Sequence, residues 1–102
     1  MNSLTLPPMK STNTPQYKVF AKCLKGIRED LGVSQEELAS RLGKPQSYVS
    51  KVESRERRLD LVEYLDWMHA LGADYLAPLT MLYKFSTQRH SPLPRRRLKL
   101  ER

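Results

Sequence analysis

The sequence predicts an all-α protein whose five short helices form one small domain. Apolar residues recur every three or four positions in successive stretches, glycines follow three of these stretches, and helix-capping residues precede several of them. A chain of 102 residues has room for a single domain. We expect this domain to span residues 17–85, between a flexible, proline-containing leader at 1–16 and a basic, disordered tail at 86–102.

The first helix is predicted over residues 17–31, and Gly32 is expected to end it. Cys23 borders its apolar stripe and is interpreted as a small core residue, because no second cysteine or histidine motif would activate its thiol. A single cysteine also excludes an intramolecular disulfide and suggests a reducing compartment. The apolar stripe itself consists of Phe20, Leu24, Ile27 and Leu31.

Residues 34–54 have the pattern of two short helices joined by a tight turn. Ser34 is a good N-cap, and Glu37 would complete a capping box. Gly43 suits the left-handed residue that ends the first of these helices, and Pro45 suits the first position of the second. The inward-facing residues are Leu38, Ala39, Leu42, Val49 and Val52. This arrangement predicts a helix-turn-helix.

Two more helices are expected after the helix-turn-helix. Asp60 and Glu63 form the capping box of the fourth, and Gly72 ends it. Its inner stripe is predicted to be Leu61, Leu65, Met68 and Leu71. Asp74 can cap a fifth helix that has Pro78 in its first turn. The large apolar residues of that helix could pack in the core or form a dimer interface, and the candidates are Tyr75, Leu79, Leu82 and Tyr83.

The net charge of +7 is distributed unevenly. Residues 1–17 and 18–85 each carry +1, whereas residues 86–102 carry +5. Within the domain, residues 44–58 carry +3, which is enough to attract phosphate groups, although ordinary surface charge would explain it equally well.

Several classes of function are not expected. No apolar run approaches the roughly 20 residues that cross a membrane, and the first residues lack the pattern of a secretory signal, so we expect no membrane partner and a cytoplasmic location. No nucleophile–base pair, phosphate-cradling glycine loop or metal-ligand spacing is evident, and His69 and His90 lack suitable partners. We therefore expect neither an enzyme nor a cofactor.

The helix-turn-helix stretch resembles the phage-repressor/Cro-like (XRE-type) helix-turn-helix family. The resemblance extends over residues 24–74 and implies a lambda-repressor-like five-helix domain that binds double-stranded DNA, with the helix at 45–53 in the major groove. The residues that carry it are Gln35, Leu38, Ala39, Leu42, Gly43, Gln46, Ser47, Val49, Ser50, Val52 and Glu53.

Four residues on the outer side of this helix are suited to reading base edges, because Gln can pair with adenine, Lys with guanine and Ser with several edges. They are Gln46, Ser47, Ser50 and Lys51. By resemblance, Gln35 would hold a backbone phosphate, and Lys44, Tyr48 and Arg55 could add phosphate contacts.

The resemblance also implies an ion pair between Arg28 and Glu53, although two independent surface charges are an alternative. Two positions depart from the family pattern. Lys44 stands where Thr or Ser usually caps the helix, and Ser54 with Arg55 replaces a frequent Asn-Gly pair.

Taken with the family, these residues imply a sequence-specific transcriptional regulator, of repressor type, that binds a near-palindromic operator as a homodimer. Antitoxins and protein-bridging coactivators use the same fold, so a toxin or another protein partner is the alternative. For the basic tail, a solvated segment, an arm that adds nonspecific DNA contacts, and a segment that orders on a protein partner all stay open.

Overall fold

The computed structural model describes residues 13–89, which fold into five helices without a strand in that range. The helices are α1 (Pro15–Asp30), α2 (Gln35–Leu42), α3 (Gln46–Glu53), α4 (Leu61–Leu71) and α5 (Leu76–Arg89). The predicted all-α, five-helix fold is therefore confirmed. Most of the predicted leader and tail, at 1–12 and 90–102, lies outside the described residues.

Helix α1 begins two residues earlier than the apolar pattern indicated. The Thr14 side chain caps it by accepting a hydrogen bond from the Tyr17 backbone N–H at 3.1 Å, and Pro15 fills the first position, where its missing N–H has no cost. At the other end of the domain, α5 continues to Arg89, four residues into the stretch that was predicted to be tail.

The start of α2 follows the prediction only in part. Ser34 caps it by accepting from the Glu37 backbone N–H at 3.0 Å. The Glu37 carboxylate, however, accepts a hydrogen bond from Arg41 Nε at 3.1 Å, one helical turn later. Gly43 then ends α2 with φ of 67°, a left-handed conformation that costs a residue with a side chain about 1–2 kcal/mol.

Two prolines lie close to the predicted positions. Pro45 is the N-cap of α3 rather than its first helical residue, because its ψ of 157° is extended, and Gln46 is the first residue of the helix. Pro78 is the third residue of α5, so its missing N–H falls in the first turn, where helical N–H groups have no partner within the helix. Asp74 caps this turn by accepting from the Leu76 N–H at 2.9 Å.

The inner face of α4 matches the prediction at Met68 and Leu71 and differs from it at the other two positions. Tyr64, Trp67, Met68 and Leu71 are buried there, whereas Leu61 and Leu65 are 66% and 44% exposed. Tyr64 and Trp67 bury more apolar area than two leucines would, so α4 packs with its aromatic side towards the core. The core around Trp67 is completed by Phe20, Leu24, Leu38, Val49 and Val52.

No helix within the described range is both long and apolar enough to cross a membrane.

Candidate nucleic-acid interface

Helix α3 has one buried side and one exposed side. Val49 and Val52 are almost completely buried in the core. The four side chains that the sequence assigned to base reading, Gln46, Ser47, Ser50 and Lys51, are all exposed. The structure therefore presents the predicted set together on one outward surface, which we call the α3 reading surface.

The end of α3 is fixed to α1 by a buried ion pair. Arg28 Nε donates to Glu53 Oε2 at 2.6 Å, and Arg28 Nη2 donates to Glu53 Oε1 at 3.0 Å. The two side chains are only 8% and 3% exposed. A third bond, from Arg28 Nη1 to the Val33 carbonyl at 2.7 Å, ties in the turn between α1 and α2. Hydrogen bonding to Glu53 raises the pKa of Arg28, against the lowering effect of burial.

The ion pair continues to the reading surface through two glutamines. Gln35 Nε2 donates to Glu53 Oε1 at 2.9 Å, and Gln46 Nε2 donates to Gln35 Oε1 at 3.3 Å. The side chain of Gln46 is thus connected to the buried Arg28 through two intermediate residues. Sequence reasoning assigned Gln35 a phosphate contact and missed this bridge, because only the packing of α2 across α3 brings the two glutamines together.

Tyr48 is half-buried beside the reading surface, and cations lie over its ring. The Arg57 guanidinium carbon lies 4.7 Å and Lys44 Nζ 5.3 Å from the ring centroid, and the Trp67 ring centroid is 6.1 Å away. Burial raises the pKa of Tyr48, and the nearby Glu63 carboxylate adds to this. The ring therefore packs α3 against α4 and the turn before it, and its predicted phosphate contact stays a prediction.

Arg57 received no role in the sequence analysis. Its guanidinium donates to both carboxylate oxygens of Glu63, at 3.1 and 2.9 Å, and to the Arg58 carbonyl at 2.9 Å. Glu63 also accepts from the Asp60 N–H, completing the predicted capping box of α4. These bonds lower the pKa of Glu63, with the Arg57 hydrogen bond as the largest cause. The Arg57 side chain therefore stabilises the loop before α4.

Arg55 adopts a left-handed backbone, with φ of 69°, and is the sole non-glycine residue with positive φ between residues 13 and 89. Its N–H bonds the Val52 carbonyl and the next N–H bonds the Lys51 carbonyl, so Arg55 takes the position that glycine usually fills after a helix. The side chain reaches Asn13, with Nη1 3.2 Å from Oδ1.

The four dimer candidates divide into two pairs. Tyr75 and Tyr83 are exposed, whereas Leu79 and Leu82 are half-buried and pack against the core. Of the two interpretations given from the sequence, core packing therefore explains Leu79 and Leu82.

The part of the chain that the structure describes contains no group of three or more His, Cys, Asp and Glu side chains able to hold a metal ion. Cys23 is half-buried, and burial raises the pKa of its thiol, which favours the unreactive protonated form.

Comparison with known proteins gives a consistent result. The helix-turn-helix family model matches residues 24–75. An XRE-family-like protein from Pseudomonas syringae pv. tomato is 42% identical in sequence, with a TM-score of 0.66 over 70% of this chain and 87% of that one. No curated protein shows significant sequence similarity.

Two more distant solved structures also share the fold. A hypothetical transcription factor from Neisseria is 27% identical, with a TM-score of 0.57 over 80% of this chain and 97% of its own. A mutant of the restriction-modification controller protein C.Esp1396I is 22% identical, with a TM-score of 0.64 over 76% of this chain and 98% of its own.

Proposed function

The chain belongs to the XRE-type helix-turn-helix family of DNA-binding transcription regulators, and on that basis we propose that it is a repressor-type regulator that recognises a specific operator. In this proposal α3 enters the major groove, and two copies bind the half-sites of a near-palindrome about 34–36 Å apart.

The observation that carries the proposal is the α3 reading surface and the hydrogen bonds that support it. Four hydrogen-bonding side chains face outward from a helix whose far end is held by the Arg28–Glu53 pair. Gln46, at the start of the helix, is further oriented by Gln35. Since the first residues of a recognition helix approach base edges most closely, Gln46 and Ser47 would read bases first in this proposal, followed by Ser50 and Lys51.

Phosphate contacts would fix the register of α3 on the duplex. An amide group has two donor hydrogens, so Gln35 can bond Glu53 and still offer one to a phosphate. Lys44 is exposed before α3 and Arg55 follows its end, so both flank the reading surface with positive charge. Arg57 is not included, because its guanidinium is held by Glu63.

A homodimer is proposed because one domain reads too few base pairs for specificity. Tyr75, immediately before α5, and Tyr83, in the middle of α5, are exposed aromatic side chains, and such residues are common in interfaces between subunits. They support the α5 face as the contact between copies.

The test is selection of bound sequences from a random duplex pool at about 0.15 M salt, which suppresses nonspecific phosphate binding. We expect a near-palindromic consensus. Weak, salt-sensitive binding without an enriched sequence would contradict the proposal and would favour the protein-bridging alternative.

Single substitutions then separate base contacts from phosphate contacts. Gln46→Ala should cost about 1–3 kcal/mol on the selected site and relax the preference at one base pair, whereas Lys44→Ala should weaken all sequences alike. Lys22→Ala removes the same charge from an exposed position of α1 and serves as the matched control. Equal losses on specific and random DNA would remove Gln46 from the base-reading set.

A further inference from the structure

The Arg57–Glu63 pair lies beside the reading surface, although neither residue belongs to it. The Arg57 backbone N–H donates to the Lys51 carbonyl at 3.1 Å, and the Arg57 guanidinium lies over the Tyr48 ring. A cleft opens next to the pair, between the end of α2, the turn before α3, and α4, and both Lys44 and Glu63 line it. The pair therefore flanks the same side of α3 as Lys44, for which a phosphate contact is proposed.

The pair has the geometry that a guanidinium also uses to bind phosphate. Arg57 Nη1 and Nη2 donate to the two carboxylate oxygens of Glu63 at 3.1 and 2.9 Å, and the same two-bond fork fits two oxygens of a phosphate. While Glu63 occupies the fork, its negative charge neutralises Arg57. Because the attraction of DNA depends on positive charge that is free to neutralise phosphates, the pair as a whole adds little to it.

The pair is accessible enough for a phosphate to take the place of the carboxylate. The Arg57 and Glu63 side chains are 40% and 27% exposed, whereas those of the Arg28–Glu53 pair are almost completely buried. Ion pairs in contact with solvent contribute little to stability, so the exchange of the carboxylate for a phosphate meets little resistance. Lys44 is close enough to contribute to the lowered pKa of Glu63, so a second cation lies beside the pair.

We propose that Glu63 competes with DNA phosphate for Arg57 and thereby limits the affinity of the domain for DNA of any sequence. The inference rests on the proposed function and adds to it a residue that acts against binding. In the wild type, Arg57 stays on Glu63 and supports the loop before α4. Once the carboxylate is removed, Arg57 becomes a phosphate ligand next to Lys51, and such a contact strengthens binding to all sequences alike.

The experiment measures binding of the full chain to a random-sequence duplex by fluorescence anisotropy, between about 50 and 200 mM salt. Glu63→Gln removes the anion but keeps an oxygen that can accept from the Asp60 N–H, so the capping box of α4 remains. One additional phosphate contact steepens the logarithmic salt dependence of the affinity by about 0.9. Over this fourfold range of salt, Glu63→Gln should therefore lose about 3.5-fold more affinity than the wild type loses.

Asp66→Asn is the matched control, because it changes the net charge equally. Asp66 is an exposed carboxylate about one turn further along α4, lines the same cleft, and takes no hydrogen bond from Arg57 in the described part of the chain. Its salt dependence should stay near that of the wild type. Adding Arg57→Ala to Glu63→Gln should remove the steeper salt dependence. Far-UV circular dichroism of each variant checks that the helices are intact.

Two results would overturn the inference. One is a Glu63→Gln protein whose salt dependence is no steeper than that of Asp66→Asn. The other is a steeper salt dependence that persists in the double variant, since Arg57 would then not be its source. The proposed function is decided separately, because it depends on whether the wild type selects an operator sequence, whereas these measurements use random DNA alone.

Discussion

The Arg28–Glu53 pair offers the most direct test of how this domain is held together. Replacing Arg28 with Ala removes three hydrogen bonds and leaves the Glu53 carboxylate, 3% exposed, without its cation. Breaking a buried pair from one side costs about 3–5 kcal/mol, because a charge stays buried uncompensated. In a domain of this size each kcal/mol lowers the melting temperature by about 4–8 °C, so Arg28→Ala should melt at least about 12 °C below the wild type.

The assay is thermal and urea unfolding followed by tryptophan fluorescence, since Trp67 is the single tryptophan and is fully buried. Glu37→Gln is the control, because the Glu37–Arg41 pair lies on the surface and should contribute at most about 1 kcal/mol. A double variant, Arg28→Met with Glu53→Leu, should recover much of the loss, since it leaves no buried charge. An Arg28→Ala protein within about 0.5 kcal/mol of the wild type would refute the reasoning.

Two further predictions concern the loop that follows α3. Arg55→Gly should raise the free energy of unfolding by up to about 1 kcal/mol, because glycine adopts the φ of 69° without strain, and it should lower DNA affinity if Arg55 holds a phosphate. The control is Ser54→Gly, which should only destabilise because Ser54 has an ordinary φ of −85°. A destabilised Arg55→Gly protein would contradict the strain argument. Glu63→Gln should remove a pH-dependent contribution to stability. The folded pKa of Glu63 is lowered from its ordinary 4.5, so its contribution is present above that value and is lost as the pH falls through the folded pKa. The wild type should therefore be the more stable protein at about pH 6, the difference should shrink towards about pH 3, and a constant difference in urea unfolding across that range would contradict it.

Local patterns in the sequence were sufficient for the five helices and for several of their ends, although α1 begins at Pro15 and α5 continues to Arg89, beyond the predicted bounds. Ser34, Gly43 and Asp60 act through neighbours within a few residues, so their roles can be predicted from spacing alone. The orientation of α4 could not be predicted in this way, because apolar residues surround much of that helix. Whether Leu65 or Trp67 is buried depends on the space that the other helices leave in the core.

The site divides in the same way. The outward set on α3 follows from helical periodicity, and the Arg28–Glu53 pair was expected only from the family resemblance. The bond between Gln46 and Gln35, and the stacking of Arg57 on Tyr48, join residues that are nine or more positions apart and depend on side-chain geometry that no periodic pattern encodes.

The buried cation of α1 has a consequence for protein engineering. Residues 34–54 contain the whole helix-turn-helix and could be transferred to another protein as one segment. However, the Glu53 carboxylate at the end of its second helix is neutralised by Arg28, which lies outside the segment. Grafting that segment onto another scaffold would leave the Glu53 carboxylate buried without a neutralising cation. The smallest transplantable unit therefore starts within α1, and a chimera that keeps Arg28 should fold where one that omits it does not.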